Sequence, residues 1–188
     1  MVTEPIRDRN MLRQFADYWL KKGNLRNYVL IVLGVSTALR IGDLLRLKWS
    51  DVYDAECGDF FSHITLTEQK TGKHKVIALN KQAVNALNLY LPNSCGNFIF
   101  ASNRKDGRAI TRVQAWRIIR IAAEAVDLDG RIGCHSLRKT FGYFAWRNGT
   151  LPTVLMDIYN HSSYEVTRRY LGISQDDRDK VYMGMVFF

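Results

Sequence analysis

The residues of this chain whose types and spacing could do chemistry together lie between His135 and Tyr170. That stretch holds two of the four histidines, a histidine and an arginine three positions apart, and a tyrosine nine residues beyond the second histidine, His161. If Ser136 to Arg147 is helical, His135 and Arg138 lie one turn apart and point to the same side, so both can reach one anion. Taken singly, a histidine near a helix start is usually a satisfied structural residue, and an arginine usually a solvated or ion-paired one. It is the combination that points to a site.

Two further places carry charge in a meaningful setting. Arg40 sits among Ala38, Leu39, Ile41 and Leu44. An unpaired charge in so apolar a neighbourhood is costly, so Arg40 needs a partner, and Asp43 is the candidate to orient it. Farther on, Lys70, Lys73 and Lys75 surround a turn whose Gly72 is the residue best able to take positive φ. Lysines at hairpin tips also keep sheet edges soluble, which is the plainer reading of that cluster.

The elements that must position these groups follow from periodicity. Leu12, Phe15, Ala16, Trp19 and Leu20 give an amphipathic helix over about Asp8 to Lys22, ended by Gly23 and Asn24. Residues Arg26 to Thr37 are apolar on nearly every side and predict a helix central to the core. A bend and a short new helix then carry Arg40. The pattern changes to strands at Phe61 to Leu66 and His74 to Leu79, rich in Ile, Val, Thr and Phe and joined by the lysine turn.

Helical periodicity returns behind Asn80 as N-cap, with Ala83, Val84, Leu87 and Leu91 inward, and stops at Pro92. A polar, basic loop occupies Ala101 to Arg108. Thr111 caps a helix to about Val126, with Val113, Trp116, Ile119 and Ile121 or Ala122 inward and Arg112, Arg117 and Arg120 on other faces. Three helices are expected at Ser136 to Arg147, about Thr153 to Tyr159, and Tyr164 to about Leu171. Ser174 caps a last one, and the chain ends on an apolar cluster from Met183 through Phe187 and Phe188 that needs something to bury it.

With 188 residues, the chain is expected to be one domain that can bury a core without staples. The longest apolar run falls far short of the roughly 20 residues needed to span a bilayer, and the N-terminus lacks the apolar stretch of a secretory signal. Cys57, Cys95 and Cys134 are odd in number and far apart, which fits neither a disulfide framework nor a zinc site and favours a reducing compartment. A cytoplasmic location is expected. Lysine and arginine number 27 against 18 acids, a formal charge of +9, which makes nucleic acid a sensible partner without deciding it.

Four blocks in order resemble the catalytic domain of a tyrosine recombinase of the phage-integrase family, from about Thr37 to Leu171. T-A-L-R-I-G-D-L-L-R-L-K-W resembles the family's first arginine block, with Arg40 as its arginine and Asp43 at its acidic position. E-Q-K-T-G-K-H-K-V-I-A-L resembles the hairpin that carries its lysine, best matched by Lys70, with Lys73 as the rival. C-H-S-L-R-K-T matches the His-x-x-Arg box through His135 and Arg138. Y-N-H-S-S-Y-E-V-T-R-R-Y matches the closing box, with His161 as second histidine and Tyr170 as nucleophile.

The resemblance implies an α+β fold, mostly α-helical, with a small three-stranded antiparallel sheet or hairpin. It implies attack of Tyr170 on a phosphodiester of double-stranded DNA, leaving a 3'-phosphotyrosine and a free 5'-hydroxyl. Arg40 and Arg138 would stabilise the non-bridging oxygens, His135 and His161 would bond to phosphate and move the tyrosine proton, and Lys70 would protonate the leaving oxygen. No metal, ATP or other cofactor is implied, and a homo-oligomer, dimer or tetramer, is expected on DNA.

Three departures stand out. Tyr159-Asn160-His161 replaces the usual Leu-Gly-His, and Lys139 stands where a histidine is common. About 36 residues precede the first block. The N-terminal DNA-clamping domain of relatives is therefore not expected, and the chain reads as an excised catalytic domain or a minimal recombinase, Met1 favouring the latter. The partition expected is N-terminal helices over 1–36, a motif-bearing core over 37–171, and a tail over 172–188 available for exchange with a neighbour. The alternatives are a type IB topoisomerase-like relaxase and a DNA-binding accessory protein of the same fold that does not cut.

Overall fold

The computed structural model describes residues 3–103, 107–171, 173 and 175–186, excepting the side chains of residues 169 and 176. The first half runs α1 (Arg9–Lys21), α2 (Leu25–Thr37), α3 (Ile41–Leu44), β1 (Tyr53–Asp54), β2 (Asp59–Phe60), β3 (His63–Thr67) and β4 (His74–Ala78). The second runs α4 (Lys81–Tyr90), α5 (Arg112–Ala125), α6 (Cys134–Arg147), α7 (Pro152–Tyr159), α8 (Tyr164–Leu171) and α9 (Gln175–Met183). Side-chain caps start the helices where Asp8, Asn24, Asn80 and Thr111 accept from main-chain amides of the first turn. Asn24 therefore opens α2 as well as closing α1.

The apolar α2 is the central element, with Val29, Leu30, Ile31 and Leu33 fully buried. On one side it meets α4, β3 and the loop strands, on the other α1, α5 and α6. It comes so close to α6 that a Cβ on Gly34 would stand 2.4 Å from Leu137 Cδ1. Only glycine permits that crossing, which brings the end of α2 beside Arg138.

The strands are divided between two two-stranded antiparallel ribbons, β1–β2 and β3–β4, where one small three-stranded sheet or hairpin was expected. The reason is local. Asp54 accepts main-chain bonds from Glu56 and Cys57, and Gly58 turns at φ 76°, so β1 closes on its immediate neighbour β2. In the second ribbon Leu66 faces Lys75 and Thr67 faces His74.

One helix face differs from expectation. Val113, Trp116 and Ile121 of α5 are exposed at 58%, 50% and 46%, while Ala115, Ile118, Ile119, Ala122 and Ala123 are buried. The inner stripe is thus rotated toward the alanines, whose small side chains allow close packing. Leu155, Tyr159 and Leu171 from α7 and α8 close over Ala38 in a third cluster.

Ser174, the expected cap of the last helix, lies outside the described residues, as do residues 104–106 of the basic loop and Phe187 and Phe188. Helix α9 itself is present and ties back through Arg147 Nη1 to Asp177 Oδ1 at 3.1 Å. Val181, Tyr182, Met183, Met185 and Val186 are exposed. Among the described residues no helix is long and apolar enough to cross a membrane.

Candidate active site

Arg138 on α6 is the largest fully buried side chain, at 1% exposure. Its Nη1 donates to the carbonyl of Ala38, and its Nη2 to that of Tyr159 at 2.9 Å. Both carbonyls lie at helix C-termini: Ala38 caps α2 at φ 54°, and Tyr159 ends α7, capped by Asn160 at φ 53°. Two negative helix ends therefore face the guanidinium and offset the cost of burying it. Burial and the neighbouring Arg40 still push its pKa down, yet an arginine stays charged. The Nε of Arg138 has no hydrogen-bond acceptor among the described residues, a buried donor left over for an anion.

Arg40 stands at the N-cap of α3 with extended backbone. Its Nη1 lies 2.7 Å from Glu68 Oε2, an ion pair whose side chains are 19% and 0% exposed. The N–H is not aligned as a hydrogen bond, so the contact is held by charge rather than by direction. Asp43 does not orient Arg40. It accepts from the main-chain N of Gln69 at 3.0 Å and so fixes the lysine turn. Arg40, lying outside the helix, does not share the face that a three-residue spacing would give it with Asp43.

Pleat alternation sorts the three lysines. Lys70 and Lys73 are exposed on the turn, whereas Lys75 points inward on β4 beside Ile77. Lys75 Nζ is 3.5 Å from Glu68 Oε1 and donates to the carbonyl of Ile158. Burial, with Arg138 close by, lowers its pKa. Glu68 is the counter-charge to this cluster. Burial alone would raise its pKa, but Arg40, Thr71, Asn160 and Lys75 together bring it down to about 2.

The closing box is folded around Tyr159. The His161 ring stacks on that of Tyr159 at 5.1 Å, and the Tyr170 ring meets His161 edge-on at 4.8 Å. His161 Nδ1 is 3.0 Å from Thr167 Oγ1, which leaves Nε2 for the site. Desolvation and the charges of Arg138, Arg40 and Lys75 lower its pKa to about 4. His135, exposed at the start of α6, is also pushed down, by partial desolvation first and then by Arg138 and Lys139. Lys139 donates to the carbonyl of Thr3 at 2.7 Å and lies 5.5 Å from the Tyr170 ring centre.

The structure thus brings Arg40, Arg138, His161 and Tyr170 together, with His135 at the rim and Lys70 on the adjoining turn. Sequence reasoning missed Glu68 and gave Lys75 and Tyr159 no place in the site. The first two were findable: continuing the alternation of Ile64 and Leu66 turns Glu68 inward, and Lys75 shares the face of Ile77 and Leu79. Tyr159 had no comparable signal.

The sequence matches the phage integrase family over residues 7–176. It is 35% identical over 181 residues to the protein described as "Probable integrase/recombinase YoeC" of Bacillus subtilis, covering 96% of each. It is 26% identical over 168 residues to tyrosine recombinase XerD of Mycobacterium tuberculosis, covering 85% of this chain and 52% of that protein. The fold matches the XerH site-specific recombinase, solved with a palindromic difH substrate after cleavage, with TM-score 0.77 at 19% identity, over 96% of this chain and 53% of that one. The chain thus spans about half the length of the last two and nearly all of the first. The fold is that of a tyrosine recombinase catalytic domain. The chain belongs to the phage integrase family.

Proposed function

We propose that this protein is a site-specific, integrase-type recombinase that cleaves and rejoins double-stranded DNA strands through a 3'-phosphotyrosine intermediate. The observation that carries this is the placement of the Tyr170 ring against His161, beside Arg138, whose Nε has no acceptor among the described residues. A phosphodiester supplies what that donor lacks.

The Tyr170 oxygen attacks phosphorus, the bond from phosphorus to the 5'-oxygen breaks, and the two arginines stabilise charge building on the non-bridging oxygens. With pKa values pushed down, His161 and His135 are neutral near pH 7 and free to accept the tyrosine proton. A bound phosphate's negative charge raises their basicity at the moment it is needed. Lys70 gives its proton to the departing 5'-oxygen. The cationic side chains supply the stabilisation, so the reaction needs neither metal nor ATP, and the phosphotyrosine keeps the bond energy for rejoining.

The chain acts in the cytoplasm as one catalytic domain, Tyr170 serving the site of its own protomer, and it assembles as a dimer or tetramer on DNA. The exposed residues Val181 to Val186 support that assembly, since an apolar terminal cluster at 56% to 85% exposure needs a covering surface. A type IB relaxase would use the same chemistry as a monomer. A non-cutting DNA-binding protein is disfavoured by the intact set of six side chains.

The experiment is capture on a pool of nicked duplexes that lose the 5'-hydroxyl strand after cleavage, without metal. A covalent adduct mapped to Tyr170 and absent in Tyr170→Phe is expected, and sequencing the captured strand returns the site. Tight, salt-sensitive binding without any adduct would overturn the enzymatic reading.

A further inference from the structure

Two of the site's polar groups, one of them fully buried, have no part in the chemistry above. The Glu68 side chain is fully buried, and its Oε2 accepts from Thr71 Oγ1 at 2.8 Å and from Asn160 Nδ2 at 3.0 Å. Thr71 follows Lys70 directly. The main chain of Glu68 closes the same turn, its N donating to the Lys73 carbonyl at 3.0 Å and its carbonyl accepting from Gly72 N at 2.9 Å. From the other strand, Lys75 reaches both Glu68 and the carbonyl of Ile158. The exposed Lys70 is thus carried by a turn whose footing is Glu68, and Glu68 is fastened across to the end of α7.

Asn160 holds the other end of that fastening. It lies in the left-handed region, φ 53° and ψ 44°, where glycine is free of strain and asparagine is tolerated. Glycine would make the turn equally well but has no side-chain amide to donate. What Asn160 adds is therefore the bond to Glu68, and it makes that bond one residue before His161.

We propose that Glu68 and Asn160 are a positioning pair that fastens the Lys70 turn to the segment leading into His161, and so sets the proton donor relative to the nucleophile. This rests on the recombinase reading, with Lys70 as the group that protonates the 5'-oxygen. It goes beyond that reading in assigning the lysine's placement to a contact between the hairpin and the closing box. Asp43, bonded to Gln69, holds the turn on its opposite side.

The test uses Asn160→Gly and Asn160→Asp in the full chain, with the duplex returned by the capture experiment made in two forms. One carries the natural 5'-bridging oxygen at the scissile phosphate, the other a 5'-bridging sulfur. When the bond from phosphorus to sulfur breaks, the thiolate leaves without needing a proton, since a thiol pKa is about 8.5. Single-turnover adduct formation by Asn160→Gly is expected to fall roughly tenfold on the oxygen duplex, a part of the roughly 10²–10⁴-fold a proton donor supplies. It should return to near the wild-type rate on the sulfur duplex. Asn160→Asp keeps the turn but sets a carboxylate against Glu68, so its loss on oxygen should be larger and again be relieved by sulfur.

An Asn160→Gly protein as fast as wild type on oxygen, or equally slow on both duplexes, overturns the pair while leaving the recombinase reading intact. Wild-type protein that forms no adduct with either duplex overturns both.

Discussion

Arg138 and Tyr159 hold each other through their main chains in opposite senses. The guanidinium donates to the Tyr159 carbonyl at 2.9 Å, the Tyr159 hydroxyl donates to the Arg138 carbonyl at 2.8 Å, and the guanidinium carbon stands 4.5 Å from the ring centre. The same ring is the surface on which His161 and Tyr170 rest. Tyr159 is thus a structural centre for Arg138, His161 and Tyr170.

Tyr159→Phe removes one of those bonds and keeps the ring. Stability should fall by about 1 to 3 kcal/mol, the cost of a lost buried hydrogen bond. Cleavage should fall less than it does for Tyr159→Ala, which also removes the surface under His161 and Tyr170. Urea midpoints and single-turnover adduct rates check both.

Gly142→Ala should destabilise the protein, against the usual gain of a helical glycine-to-alanine change. A Cβ there would stand 2.2 Å from the Tyr159 hydroxyl oxygen and 3.0 Å from its ring carbon. The hydroxyl must leave Arg138, and overpacking of this kind costs about 1 to 3 kcal/mol. A higher urea midpoint would show that the ring yields freely.

Acid should unfold the protein in two stages. His161 is held near pKa 4 against an ordinary 6.5, so the unfolded chain takes up its proton first and stability falls as pH drops from about 6.5 toward 4. Glu68 is held near 2 against 4.5, so its contribution is full above 4.5 and is lost as pH falls toward 2. Urea midpoints from pH 8 to 3 measure this, and Glu68→Gln should flatten only the lower stage. A flat profile down to pH 4 would contradict the placement of His161.

Lys70→Ala should lose adduct formation on an oxygen-bridged duplex by about 10²-fold or more and regain it on the sulfur-bridged one. Lys73→Ala should stay near wild type on both, since Lys73 lies exposed past the tip of the turn. The reverse pattern would make Lys73 the proton donor.

Deleting residues 174–188 should weaken assembly on DNA while leaving single-site binding. Mobility shifts that separate one-protomer from two-protomer complexes give the readout. Unchanged assembly would mean that the segment covers nothing on a neighbour.

The helices and the β3–β4 hairpin were legible because caps such as Asp8, Asn80 and Thr111 and the 3.6-residue stripes are local properties of the chain. The α5 face was misjudged because large apolar residues weigh most in a pattern, while here alanines pack and Trp116 stays half exposed. Within the site, residue types and order marked Arg40, His135, Arg138, His161 and Tyr170. What could not be read was who pairs with whom. Arg40 meets Glu68 across 28 positions of sequence, and Arg138 finds Ala38 across 100. Such partners are set by the crossing of α2 and α6, which no local pattern reports.

Arg138 draws its two bonds from Ala38 and Tyr159, on either side of it in the chain and both at the ends of other helices. The placement of the Arg138 guanidinium therefore requires α2, α6 and α7 all to be docked. A copy in which one of these helices is undocked keeps Tyr170 in its sequence but lacks one of the two carbonyls that hold Arg138.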